Sequence, residues 1–185
     1  MASPTNLVEP HWLAQFSISG GRHVRFRHVL PEDEPLIVEA ISTASRETLL
    51  HRFFSPIRHV SPELLRKMLA IDRSKELCVV GLVQDGAHLR LICGARYIRL
   101  SRKDAAEIAL TVHDDFQKQG LGTFMLNLIM QLARAQGIRW FEADVMSSNA
   151  GMLKLLHRVS TGSRESFRSG DVQHIVVSLE ALAKE

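Results

Sequence analysis

The sequence predicts an α/β (α+β) fold in which a mixed sheet carries helices on both faces. Some short runs alternate apolar and polar residues, as strands do, whereas others repeat apolar residues every three or four positions, as helices do. The predicted order is β-α-α-α-β-β-β-α-β-α-β-β, without an internal repeat or a linker. With 185 residues, 45% of them hydrophobic, the chain is long enough for one domain with a substantial core.

The first half of the chain is predicted to contain one strand and three helices. Residues 1–21 are expected to be irregular, and the domain is expected to span residues 22–182. The first strand is predicted at His23–His28, where Val24 and Phe26 face one side. The helices begin at Pro31, near Ser45 and at Ser61; the first and third have proline and acidic residues in their first turn, which favour a helix start.

The second half begins with a hairpin and continues as strands and helices in alternation. Asp85-Gly86 between two β-type runs is a strong hairpin signal. A long amphipathic helix is predicted at Leu121–Ala135, with Gly137 suited to its C-terminal cap. The predicted strands are Leu77–Val83, Leu89–Leu100, Ala106–Val112, Ile138–Val145, Ser163–Arg168 and Val172–Leu179, and a short helix is predicted at Asn149–His157.

Composition excludes several function classes. The net charge of +3 is modest, the basic residues are dispersed, and aromatic residues make up only 6%, so nucleic-acid binding is not predicted. Cys78 and Cys93 lie in apolar runs, which favours reduced core thiols over a disulfide, and no metal site is predicted. The N-terminus lacks a signal-peptide pattern, and no apolar run approaches the ~18 residues of a membrane span. We therefore expect a cytoplasmic protein without a membrane partner.

A glycine-containing loop joins strand Ala106–Val112 to the long helix. Its pattern is Gln-x-x-Gly-x-Gly, with Gln117, Gly120 and Gly122. Glycines allow a ligand to approach the backbone closely, and the free amides of a first helical turn attract anions. The loop lacks the Lys-Ser or Lys-Thr of a P-loop and the third glycine of a dinucleotide fingerprint. A diphosphate is the ligand that such a cradle fits.

This pattern resembles the pyrophosphate loop of the GNAT superfamily, the acyl-CoA-dependent N-acyltransferases. The resemblance covers roughly residues 22–179. It implies a mostly antiparallel central sheet with splayed central strands, and acetyl-CoA as the co-substrate. It further implies that the pantetheine contacts the backbone of Leu110, Thr111 and Val112, that the pyrophosphate is wrapped by Gln117, Lys118, Gln119, Gly120, Leu121, Gly122 and Thr123, and that Asn149 at the start of the next helix also binds the cofactor.

Glu107 is the candidate general base. Alternation places Glu107 on the strand face opposite Ile108, and an alkyl ammonium with a pKa of ~10.4 must lose a proton before it can attack a thioester. The segment Ala105–Gln117 resembles in particular the bacterial protein lysine acetyltransferases, in which a glutamate at this place is the base. A solvent-facing strand glutamate without a catalytic role is the alternative.

The usual general acid of the family is missing. The resemblance places a tyrosine seven residues after the asparagine, but this chain has Leu156 there, and its one tyrosine, Tyr97, is on another strand. His113 and His157 are conceivable substitutes. The CoA thiol is acidic enough for its thiolate to leave with help from water or backbone amides.

The acceptor is expected to be a primary amine, with a protein lysine preferred. Segment Arg46–Phe54 is similar to a part of the lysine acetyltransferases that lines the acceptor side. A small amine such as a polyamine, amino acid or aminoglycoside is the second possibility. A non-catalytic acyl-CoA-binding module is the third, favoured by the missing tyrosine and by the absence of the family's Gly-Phe after the helix, where Val159–Ser163 stands instead. The sequence leaves monomer or homodimer open.

Overall fold

The computed structural model describes residues 11–57, 60–102, 104–159 and 165–179. Its eight strands form one sheet in the order β1-β2-β3-β4-β5-β6-β8-β7. Only the β5–β6 pair is parallel; the other pairs are antiparallel. The strands are β1 Ala14–Ser17, β2 His23–His28, β3 Glu76–Asp85, β4 His88–Arg99, β5 Ala105–Val112, β6 Trp140–Met146, β7 Glu165–Ser169 and β8 Val172–Ser178.

Helices cover both faces of this sheet, as predicted. The helices are α1 Glu34–Thr43, α2 Arg46–Phe53, α3 Pro62–Leu69, α4 Leu121–Ala135 and α5 Ala150–Val159. One apolar cluster joins α1 and α3 to β3 through Ile37, Leu65 and Val80. The larger cluster joins α4 and α5 to the opposite face and includes Met125 and Leu156. The predicted mixed α/β architecture is confirmed.

Local chemistry explains why the helices begin where they do. The side chains of Ser45 and Ser61 accept hydrogen bonds from the amides of Thr48 and Leu64, each three residues further on, and thus cap α2 and α3. The predicted first helix begins instead with a 3₁₀ turn at Pro31–Asp33 before α1.

The expectation that residues 1–21 are irregular is wrong for Ala14–Ser17. This segment pairs with β2 and becomes an edge strand of the sheet. The centroid of the Phe16 ring lies 4.8 Å from the centroid of the Phe124 ring on α4. Four residues are too few to show the alternation of apolar and polar residues that is typical of a strand. Pairing with β2, rather than the local sequence, therefore makes this segment a strand. Residues 1–10 lie outside the described part of the chain.

Most element boundaries agree with the prediction to within a few residues. β2 and α4 have the predicted bounds, and Gly137 follows α4 with φ +78°. β6 begins at Trp140 rather than Ile138, because the Ile138 amide still bonds to the Ala133 carbonyl at the end of α4. Residues 163 and 164 of the predicted strand Ser163–Arg168 lie outside the described residues.

The two cysteines are free thiols, Cys93 fully buried and Cys78 partly so. Burial raises the pKa of Cys93 to about 12 and that of Cys78 to about 11. Neither thiol therefore forms a reactive thiolate near neutral pH. Among the described helices, none is long and apolar enough to cross a membrane.

The central strands separate at one end. β5 pairs with β6 over Ala105–Glu107 only, whereas its pairing with β4 extends to Val112. Beyond Glu142, β6 pairs with β8 alone. The backbone of β5 from Ile108 to Val112 thus borders a gap on its β6 side, and this is the splay that the sequence analysis expected.

Candidate active site

A cleft of about 760 Å³ opens where β5 and β6 separate. Its walls come from β5, the loop before α4, the start of α5 and one side of α2. Nine predicted cofactor-binding residues line it, namely Leu110, Thr111, Val112, Gln117, Lys118, Gly120, Gly122, Thr123 and Asn149. The structure therefore brings together residues that are far apart in sequence.

The loop between β5 and α4 presents backbone groups to this cleft. Lys118 and Gly120 have positive φ angles of 60° and 86°, which turn the chain sharply before α4 begins at Leu121. The amides of residues 121–123 form the first helical turn and have no acceptor within the helix. A Cβ on Gly122 would lie 3.4 Å from Leu155 Cδ2 on α5 and narrow the cleft. The cradle therefore fits a diphosphate through its backbone.

Two predicted cofactor residues do not line the cleft with their side chains. Leu121 is buried in the core, so only its amide is available to a ligand. The Gln119 amide group accepts a hydrogen bond from the Ser19 amide and donates to the Asp115 carbonyl. Gln119 thereby ties the loop to the segment after β1.

Basic side chains surround the cleft. Lys118 lies on the loop, and Lys154 and Arg158 lie one turn apart on α5. Lys154 and Arg158 were not predicted as cleft residues, although they follow Ala150 at intervals of four and thus lie on one face of the helix. Three cations beside a backbone cradle favour an anionic ligand over a neutral one.

Helix α2 is fastened to the loop by Asp114. Its carboxylate accepts hydrogen bonds from the Ser45 amide, the Ser45 hydroxyl and the Thr48 hydroxyl at 2.7–2.8 Å. Burial would raise the pKa of Asp114, but these hydrogen bonds outweigh it and lower the pKa. The Gln117 side chain also donates to Thr48 Oγ1 and to the Val112 carbonyl. Cleft-lining residues of α2 thus keep a fixed position relative to the loop.

Glu107 lies at the last paired position before β5 and β6 separate. It is exposed and stands opposite Glu142 in the sheet register. It shares its strand face with Ala109 and Thr111, as alternation predicted. It also interacts electrostatically with Arg52 of α2, whose pKa is lowered chiefly by burial. The Glu107 carboxylate thus lies on the same strand face as Ala109 and Thr111, near Arg52, but Glu107 is not among the residues that line the cleft.

The profile of the Acetyltransferase (GNAT) family matches residues 44–160, which is more than half of the chain and includes β5, the loop and α5. The chain belongs to the GNAT family. It is therefore an acyl-CoA-dependent acyltransferase of the N-acetyltransferase type, and the family uses acetyl-CoA.

The GNAT chain is similar to two curated acetyltransferases. It is 30% identical to an acetyltransferase of Pseudomonas aeruginosa over 89% of this chain and 88% of that protein. It is 31% identical to the acetyltransferase Pat of Mycolicibacterium smegmatis over 75% of this chain but only 41% of Pat. The chain thus spans about two fifths of Pat.

Solved structures agree in fold. The GNAT domain of S. lividans PAT has a TM-score of 0.77 at 24% identity, covering 89% of this chain and 96% of that domain. A cAMP-binding acyltransferase from Mycobacterium smegmatis has a TM-score of 0.62 at 25% identity, covering 95% of this chain and 50% of that protein. The fold of this chain is therefore the GNAT fold.

The structure shows where each candidate for a general acid, and the leucine at the usual tyrosine position, lies relative to the cleft. Leu156, at the position where the resemblance places tyrosine, is 1% exposed within the core. Tyr97 is also buried, on a different strand. His113 is buried, with Nε2 3.1 Å from Thr43 Oγ1, and His157 is absent from the cleft lining. None of these four residues lines the cleft.

Asn149 has a structural role at the start of α5. Its Oδ1 accepts a hydrogen bond from the Met152 amide and caps α5, while the residue also lines the cleft. Two further cleft residues were missed by the sequence analysis, namely His51 and Ser148, whose side chains lie 3.0 Å apart. Nothing in the local sequence indicated that contact, because 97 residues separate them.

Proposed function

We propose that this GNAT enzyme transfers an acetyl group from acetyl-CoA to the side-chain amine of a protein lysine, with Glu107 as the general base. The observation that carries the proposal is the position of Glu107. It stands on the cleft-forming strand at the point of separation, two residues from Ala109 and four from Thr111 on the same face. A module that only senses acyl-CoA has no need of a carboxylate there.

Each part of the cleft binds a different part of acetyl-CoA in this proposal. The amides of the loop and the basic groups of Lys118, Lys154 and Arg158 hold the diphosphate. The free side of β5 at Leu110–Val112 offers backbone groups to the pantetheine. Acetyl-CoA supplies the acetyl thioester on which the amine acts.

The proton balance follows from the amine. A lysine ammonium with an ordinary pKa of ~10.4 cannot attack, so Glu107 takes its proton, directly or through one water. The nitrogen then forms a bond to the thioester carbon while the carbon–sulfur bond breaks. The nitrogen loses its second proton to solvent, and the thiolate that leaves takes a proton from solvent. Neither Leu156 nor the buried Tyr97 takes part.

The preference for protein lysine has two supports. The relatives include an acetyltransferase named Pat, and α2, which the sequence analysis found similar to the acceptor side of lysine acetyltransferases, lines the cleft. A small amine is the alternative acceptor. Thiol release from acetyl-CoA should be measured with lysine peptides, with the same peptides carrying arginine for lysine, and with spermidine. Release with spermidine but not with lysine peptides would overturn the acceptor assignment.

A further inference from the structure

A second cavity lies beneath α1 and α2, against the face of β5 that carries Ala109 and Thr111. It has a volume of about 110 Å³. Its deeper wall is apolar, with Ile37 and Ile41 from α1, Met68 from α3, Val80 from β3 and Leu91 from β4. Apolar cavities of about 150 Å³ stay dry and bind benzene. A space of this size therefore suits a short hydrocarbon chain.

This cavity adjoins the cofactor cleft. Thr48, Arg52 and Thr111 line both spaces, and we call these three residues the neck. Thr111 belongs to the stretch of β5 that borders the gap beside β6. A group held by the cleft at β5 thus has the cavity as its neighbour.

The neck contains an unsatisfied hydroxyl. Thr111 Oγ1 is buried, and it has no hydrogen-bond partner among the described residues. Buried polar atoms in folded proteins are nearly always hydrogen-bonded, so an exception at the junction of two spaces points to a ligand that supplies the partner. A ligand that is polar at the neck and apolar beyond it meets both requirements.

We propose that the cavity receives the acyl chain of acyl-CoA donors longer than acetyl, with saturated acyl groups of about three to five carbons as the best fit. The transfer itself is unchanged, because one nitrogen–carbon bond still replaces one carbon–sulfur bond. The side chains that line the cavity are mostly apolar, and the Arg96 guanidinium in the wall is paired with Glu76.

This inference rests on the proposed function, because it assumes that the cleft binds CoA thioesters. Calorimetry with CoA, acetyl-CoA, propionyl-CoA, butyryl-CoA and octanoyl-CoA, without an acceptor, tests binding apart from turnover. Each methylene placed in the cavity should tighten binding about fourfold, so that affinity rises from acetyl-CoA through propionyl-CoA to butyryl-CoA. Octanoyl-CoA should lose this gain in affinity, because its chain is too long for the cavity. Equal affinity for acetyl-CoA and butyryl-CoA would overturn the inference but leave the proposed function intact. Failure of every CoA compound to bind would overturn both.

Two substitutions change the volume of the cavity without touching the cleft lining. Ala40→Leu fills it and should abolish the gain for butyryl-CoA while acetyl-CoA binds as before. Met68→Ala enlarges the cavity, so the acyl chain that binds most tightly should become longer. This second variant keeps the test valid if Ala40→Leu does not fold. Ala135→Leu, on an exposed part of α4, is the matched control. An unchanged chain-length preference in either folded cavity variant would contradict the inference.

Discussion

His51 Nε2 lies 3.0 Å from Ser148 Oγ, and this contact joins α2 to the loop between β6 and α5 across the cleft. Both residues line the space that we assign to CoA. The contact is exposed, so it is a link between two walls rather than part of the core. Its position suggests that it slows the departure of a bound cofactor.

The first prediction follows from this link. His51→Ala should speed the dissociation of acetyl-CoA by about two- to tenfold, the range expected for the loss of one hydrogen bond. Stopped-flow displacement measures the rate. Ser148→Ala should have the same effect, and the double variant should be no faster than either single variant. Additive effects in the double variant would show that the two side chains act separately.

The second prediction concerns Gly122. Gly122→Val should weaken acetyl-CoA binding by about tenfold or more, because the new side chain points toward Leu155 and narrows the cleft. Gly122 is a cleaner test than Gly120, whose positive φ would add backbone strain to any substitution. Calorimetry on the folded variant decides the matter. Ala135→Val at the other end of α4 is the control. Wild-type affinity for acetyl-CoA in Gly122→Val would show that the loop is not part of the cofactor site.

The third prediction tests the general base. Glu107→Gln keeps the shape of the side chain but removes the proton acceptor, so kcat should fall by about 10²–10⁴. Acetyl-CoA affinity should be nearly unchanged. Glu142→Gln is the matched control, since Glu142 stands opposite Glu107 in the register, and its kcat should stay within about threefold of wild type. Wild-type turnover in Glu107→Gln at neutral pH would leave Glu107 as an ordinary strand residue.

The sequence predicted the loop and the strand faces well because both depend on local chemistry. Glycine and the first turn of a helix determine the cradle, and alternation alone places Glu107 and Thr111 on one face. The His51–Ser148 contact and the cavity beneath α1 could not be predicted, because they depend on how distant elements pack. The edge strand at Ala14–Ser17 was missed for the same reason, since its partner rather than its own four residues specifies it.

The fourth prediction concerns pH. Hydrogen bonds lower the pKa of Asp114 in the folded state below its ordinary value of 3.8, so folding favours the carboxylate. The resulting stabilisation is fully present above pH 3.8 and disappears as the pH falls through the lowered folded-state pKa.

Asp114→Asn should therefore lower the free energy of unfolding by about 1 kcal/mol at pH 7, a small value because the group is partly exposed, and the deficit should vanish at low pH. Urea unfolding at several pH values measures it. Asp115→Asn, whose side chain is 65% exposed, is the control and should change stability little. If the free energy of unfolding of Asp114→Asn stayed equally far below wild type at the lowest pH, the stabilisation would not depend on ionisation of Asp114.

The fifth prediction concerns Leu156, which stands where the resemblance places tyrosine. Because Leu156 is buried in the core, Leu156→Tyr should not supply a general acid. It should overpack the core and lower the free energy of unfolding by about 1–3 kcal/mol, while kcat per folded molecule stays near the wild-type value. Leu155→Tyr, on the neighbouring residue that lines the cleft, provides the contrast. A rise in kcat for Leu156→Tyr, without a matching rise for Leu155→Tyr, would show that position 156 reaches the reacting sulfur after all.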